Sequence, residues 1–122
     1  MTRSILDDAH IHPLARATID TYQAAIVADV KQAVAANAVV VVGMALNPYP
    51  ARAKKALDAI GAPYKYLEYG SYLSTWRARG ALKMWCGWPT FPMVFVKGTL
   101  VGGAAELASL IASGEFDRML KA

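Results

Sequence analysis

The sequence predicts an α/β domain: a four-stranded mixed sheet flanked by helices, with an extra helix on the N-terminal side. Three observations predict it. Val39-Val40-Val41-Val42 is an unbroken β-branched run, which marks a central strand covered on both faces. Asn47-Pro48, just behind it, reads as a helix start, so strand passes directly to helix. Lys97-Gly98 lies between two short apolar runs as a hairpin turn, and Gly102-Gly103 then opens another helix.

The elements follow in order. Residues 1 to about 12 read as an irregular tail. From Pro13 to about Ala36, apolar residues recur at helical spacing at Leu14, Ile19, Tyr22, Ile26, Val30 and Val34. Pro13 suits a first helical position, and one long amphipathic helix, with room for a single break, is expected. Asn37 stops it before the strand at Ala38 to Val42. The Asn47-Pro48 helix runs to about Ile60, with Gly61 as its C-terminal stop. Tyr64 to Tyr69 is a second strand, rich in aromatics. Ser71 to about Trp85 reads as helix, weakened at Gly80. After a loop from Trp88 to Pro92, Met93 to Val96 is a third strand and Leu100-Val101 a fourth. A helix from about Ala104 to Ala112 and a short turn through Phe116, Met119 and Leu120 close the chain. The division expected is a tail and helical extension, 1–36, packed on a domain at 37–122.

Bulk properties bound the function. With 122 residues, 56% of them hydrophobic, the chain can bury one core and is no disordered segment. The apolar run at Val39 to Val42 is too short to span a bilayer. The start, Met1 to Asp8, turns acidic where a signal peptide would be apolar, so no secretion signal is read. A single cysteine, Cys86, forbids an internal disulfide and is compatible with a reducing, cytoplasmic setting. The net charge of +4 is spread over scattered lysines and arginines, which suits a small anionic ligand. No basic block with interleaved aromatics speaks for nucleic acid.

Beyond these readings, Trp88 to Gly103 resembles the C-terminal half of a glutaredoxin, especially the monothiol glutaredoxins that bind glutathione. The resemblance spans about residues 25 to 120 and implies the thioredoxin-like fold. Gly43-Met44-Ala45-Leu46-Asn47-Pro48-Tyr49-Pro50 lines up with the active loop that ends in Cys-Pro-Tyr-Cys. Asn47 therefore takes the nucleophile's place and Pro50 that of the resolving cysteine, while Pro48 and Tyr49 are kept. Met44 stands where the family commonly has a lysine that contacts glutathione. Arg79 resembles an arginine that assists the glycyl carboxylate of glutathione. Thr90-Phe91-Pro92 resembles a loop with a cis proline, in which the residue before the proline pairs its backbone with the cysteinyl unit. Gly102-Gly103-Ala104-Ala105 resembles the turn holding the γ-glutamyl end, with Ala105 in place of an aspartate.

The resemblance thus implies a glutathione groove of Asn47, Tyr49, Arg79, Phe91, Pro92, Gly103 and Ala104, with no catalytic residue and no metal site. Thiol–disulfide exchange needs a thiolate, which Asn47 cannot supply. The same loss removes the family's route to an iron–sulfur cluster. Asn47 has two readings, a plain helix cap and an amide that meets a ligand's thiol. Cys86 reads either as a small half-buried thiol or as a substitute redox centre. His10 and His12 read as a solvated pair, since a metal needs three or four ligands. Tyr64, Tyr66, Tyr69 and Tyr72 read as packing rather than a stacking platform. Trp88 braces the loop. Arg79 and Lys83, four apart, are a basic face or a carboxylate clamp.

Three functions compete at this stage. The favoured one is a module that has lost its thiol chemistry and binds glutathione, a γ-glutamyl peptide or a protein segment, with glutathione the only cofactor candidate. The second is an active oxidoreductase working through Cys86. The third is a scaffold whose N-terminal helix docks a partner or a second copy as a homodimer.

Overall fold

The computed structural model describes residues 3–71 and 73–122. Readings that involve residues 1 and 2, or Tyr72, lie outside the described residues. A short 3-10 turn at Asp8–His10 precedes α1 (Pro13–Thr21) and α2 (Ala24–Ala36). There follow β1 (Val39–Gly43), α3 (Pro48–Ala59), β2 (Lys65–Glu68), α4 (Trp76–Cys86), β3 (Met93–Val96), β4 (Thr99–Gly102), α5 (Ala104–Ser113) and α6 (Glu115–Lys121).

The sheet order is β2-β1-β3-β4. β1 pairs parallel with β2, and antiparallel with β3, which pairs antiparallel with β4. The mixed sheet expected from the sequence is therefore present. Alternation along β1 divides the core. Val40 and Val42 pack with Ile26, Val30, Leu82, Met93 and Phe95 on the α2/α4 side. Val39 and Val41 pack with Leu57, Val94, Val96, Leu107 and Phe116 on the α3/α5/α6 side. Successive side chains of a strand point to opposite faces, so a strand between two helical layers must be apolar at every position.

Four local readings are sharpened or corrected. The long N-terminal helix, expected with room for one break, is two helices. Gln23 takes a left-handed conformation (φ 49), which breaks the ladder between α1 and α2. No glycine or proline stands there to mark it. α2 buries Ile26 and Val30, whereas α1 buries none of its residues. Second, the segment from Ser71 is not yet helix: Ser71 and Ser74 form an isolated bridge, and α4 begins only at Trp76. Third, the end of the chain is a seven-residue helix, α6, which buries Phe116. Fourth, His12 is more than a solvated side chain: its Nδ1 accepts from the Leu14 N–H at 3.1 Å and caps α1.

No helix is long and apolar enough to cross a membrane among the described residues.

Candidate functional site

The ends of β1, β3 and β4 bring three segments together: the α3 N-terminus, the loop before β3 and the α5 N-terminus. Between them lies a groove of about 430 Å³ lined by Met44, Asn47, Tyr49, Lys83, the loop 88–92 and residues 103–106.

Asn47 sits at the start of α3 for a local reason. Its extended backbone leaves the first helical N–H groups free, and its Oδ1 accepts from the Tyr49 N–H at 3.0 Å. Pro48 at the next position forfeits no hydrogen bond. The capping reading is therefore present in the structure. The side chain does a second thing: Nδ2 donates to the Phe91 carbonyl at 3.4 Å. The Phe91–Pro92 bond is cis, as the resemblance implied. Tyr49 is 51% exposed on the rim, with the Arg52 guanidinium 4.8 Å over its ring. Pro50, in the resolving-cysteine position, is buried in the α3/β1 packing.

On the opposite wall, Gly103 and Ala104 open α5. The Gly103 N–H donates to Glu106 Oε1 at 2.9 Å. The Trp88 indole packs over the glycine pair, with Cη2 3.1 Å from where a Cβ on Gly102 would lie. Its Nε1 is buried and has no hydrogen-bond partner among the described residues.

Arg79 is not in this groove, which corrects its placement as a ligand residue. It is 7% exposed, and its Nη1 donates to the carbonyls of Tyr69 (3.1 Å) and Ser74. These carbonyls belong to the irregular stretch between β2 and α4 and lack ladder partners, so the guanidinium is consumed in bracing them. Lys83, one turn on, reaches the groove instead, its Nζ 5.7 Å from the Phe91 ring centroid.

Cys86 also lies outside the groove lining. It is half-buried at the end of α4, with Sγ 3.6 Å from Met93 Sδ. Burial pushes its thiol pKa up, against smaller opposing effects of backbone N–H groups and Arg3. Tyr66 is likewise held protonated, first by burial and then by its hydrogen bond to Glu68 at 3.0 Å. Burial, then the Asp29 charge, raises Tyr69. These tyrosines serve packing and do not line the groove. No group of three or more potential metal ligands occurs among the described residues. Glu106 is the groove residue that sequence reasoning missed; a glutamate three residues after a helix-opening glycine, ahead of an apolar run, was the available signal.

The glutaredoxin family profile matches residues 39–101. The chain belongs to the glutaredoxin family. A glutaredoxin-like protein of Dictyostelium discoideum is 43% identical over 103 residues, covering 84% of each chain. A probable monothiol glutaredoxin of Legionella pneumophila is 34% identical over 73 residues, 60% of this chain and 79% of the relative. Among solved structures, the buckwheat glutaredoxin–glutathione complex superimposes with a TM-score of 0.71 at 27% identity, over 82% of this chain and 91% of that one. The thioredoxin-like fold of these glutaredoxins is the fold seen here.

Proposed function

We propose that this glutaredoxin-family chain is a binding module that has given up thiol–disulfide exchange, with a groove that takes glutathione, another γ-glutamyl compound or an extended peptide. One observation carries the reading: an amide, Asn47, stands on the Phe91 carbonyl in the groove, while the chain's one thiol lies outside the lining. Exchange requires a thiolate to attack a disulfide sulfur, form a mixed disulfide and expel the other sulfur as thiolate. An amide nitrogen starts no such step. The cis Phe91–Pro92 loop, the α5 N-terminus and Lys83 supply backbone donors and a positive charge suited to a small anionic peptide. The relative solved with glutathione supports that ligand class. The setting proposed is cytoplasmic.

Calorimetric titration with reduced and oxidised glutathione tests the binding. Measurable heat with saturation is expected, and none at millimolar ligand rejects it. A glutathione-coupled disulfide reduction assay tests the chemistry. Negligible and equal rates for the wild type and Cys86→Ser are expected, and a rate that depends on Cys86 restores the oxidoreductase reading.

A second reading is favoured by α1, whose residues are all unburied. Its residues 15, 18 and 19, with Tyr22 just beyond it, α2 and α4, wall an apolar groove of about 790 Å³. Asp20 and Lys31 lie on that lining, so two copies related by a two-fold axis can set the acid of one against the base of the other. Removing residues 1–24 and measuring mass in solution tests this; a wild type that is already monomeric ends it.

A further inference from the structure

α1 has few tertiary anchors. None of its residues is buried, and none belongs to either core cluster. A helix of nine residues with so little packing is marginal, since isolated helices shorter than about 12–15 residues barely form in water. Its joint to α2 is Gln23, whose left-handed backbone (φ 49) is uncommon for a residue with a side chain. That side chain caps nothing. The order of α1 therefore leans on what holds its first turn.

His12 holds it. Its backbone is extended, and its Nδ1 accepts from the Leu14 N–H at 3.1 Å. Only an unprotonated Nδ1 can accept, so the cap belongs to the neutral imidazole that carries its proton on Nε2. Taking up a second proton turns Nδ1 into a donor facing another donor. It also sets a positive charge at the positive end of the helix dipole. Both effects oppose the helix.

The charged groups around His12 are already engaged or of the same sign. Asp7 accepts from the Ala9 N–H, and Asp8 pairs with Arg16 at 2.6 Å. Arg16 also meets Asp20, one turn further along α1, at 3.9 Å. His10, at the end of the preceding turn, gains a positive charge over the same pH range. α2 contributes Lys31 to the groove that α1 walls, and α4 contributes no charged residue to it. Among the described residues no carboxylate lies within 4.0 Å of an imidazole nitrogen of His12. No partner is in place to receive the imidazolium.

We propose that His12 is a pH-sensitive latch on α1. Neutral, it holds the helix start; protonated, it lets α1 loosen about the Gln23 joint and uncover Val27, Met84 and Trp85 in the groove wall formed by α2 and α4. The direction follows from which form makes the bond. The cap is whole above the ordinary histidine range, around pH 6.5, and is lost as pH falls through it. The latch lies outside the glutathione-type groove and stands whether or not the α1 face pairs two copies.

The test is NMR on the full chain, following the Cα shifts of residues 14–21 and the His12 ring resonance from about pH 7.5 to about pH 5. In the wild type the ratio of ordered to disordered α1 is expected to fall at least about fivefold, with the midpoint of the His12 ring, while α2 and β1 keep their shifts. His12→Asn caps without titrating and is expected to keep α1 ordered across the range. His12→Ala is expected to be loosened throughout, and His10→Ala to retain the wild-type fall. A wild-type α1 that stays ordered at the acid end, or is disordered at both ends, overturns the proposal. So does an equal loss in His12→Asn, full order in His12→Ala, or a fall that disappears in His10→Ala.

Discussion

Asn47 is tied to Phe91 across the groove: the amide that caps α3 also donates to the carbonyl preceding the cis proline, at 3.4 Å. One side chain thus fixes the separation between the helix start and the loop. Replacing it with alanine removes both functions. A lost N-cap costs about 1 kcal/mol. Asn47→Ala is expected to lower the urea midpoint accordingly. Asn47→Asp, which keeps the cap oxygen and loses the donor, is expected to recover most of it. If alanine and aspartate are equally destabilised, the cap is not what the residue contributes.

Asn47→Cys asks whether the position still activates a thiol. A cysteine at a helix N-terminus has a lowered pKa and more thiolate at neutral pH. The new thiol is expected to be alkylated at least about tenfold faster than Cys86 at pH 7. Peptide mapping after limited iodoacetamide treatment distinguishes the two; preferential labelling at Cys86 would contradict the expectation.

Cys86 carries a pH dependence of its own. Burial raises its pKa in the fold above the unfolded value of about 8.5. The unfolded chain then releases its proton first as pH rises. The stabilisation is fully present below that unfolded value and is lost progressively as pH climbs through the raised folded one. Urea midpoints of the wild type should fall more between pH 7 and 9.5 than those of Cys86→Ala. Parallel declines would mean that the thiol is not held neutral by the fold.

Arg79 and Lys83 should separate cleanly in their effects. Arg79 is buried and donates to two carbonyls, so Arg79→Ala is expected to cost about 3–6 kcal/mol in stability, since bonds from a charged donor are worth about 1.5–3 kcal/mol each. At temperatures where it is folded, its ligand affinity should match the wild type. Lys83→Ala is expected to do the reverse: unchanged melting, weaker glutathione binding. Calorimetry and thermal melts on both variants check the pair.

Trp88→Phe removes the unpartnered indole N–H while keeping an aromatic ring near the glycine pair. A buried donor without an acceptor costs about 1–3 kcal/mol, which offsets the smaller ring's lost contacts. The free protein should melt within a few degrees of wild type. A much larger fall in the melting temperature would show that the indole N–H has a hydrogen-bond partner in solution.

Much of this was legible in the chain. Val39 to Val42 could only be a strand covered on both faces, and Asn47-Pro48 could only begin a helix efficiently. The turn at Lys97-Gly98 and the opening of α5 at Gly103 were equally local. The break at Gln23 was not, because Thr21-Tyr22-Gln23-Ala24 contains no residue that disfavours helix strongly. Arg79 was placed in the groove by its resemblance to an arginine that assists the glycyl carboxylate, and a resemblance in sequence says nothing of the Tyr69 and Ser74 carbonyls that its guanidinium meets here. Glu106 escaped notice because its carboxylate matters only once the loop and α5 are side by side.

The glycine at position 103 has a backbone that any residue could adopt (φ −106), and a Cβ there would touch its three polar neighbours at ordinary contact distance. The fold therefore makes no demand for glycine at this point. A single methyl would be housed without strain, and it would thicken the groove wall beside Trp88 and Pro92 by one carbon. Gly103→Ala is therefore expected to leave melting unchanged, so any change in ligand affinity would report crowding at the α5 end of the groove alone.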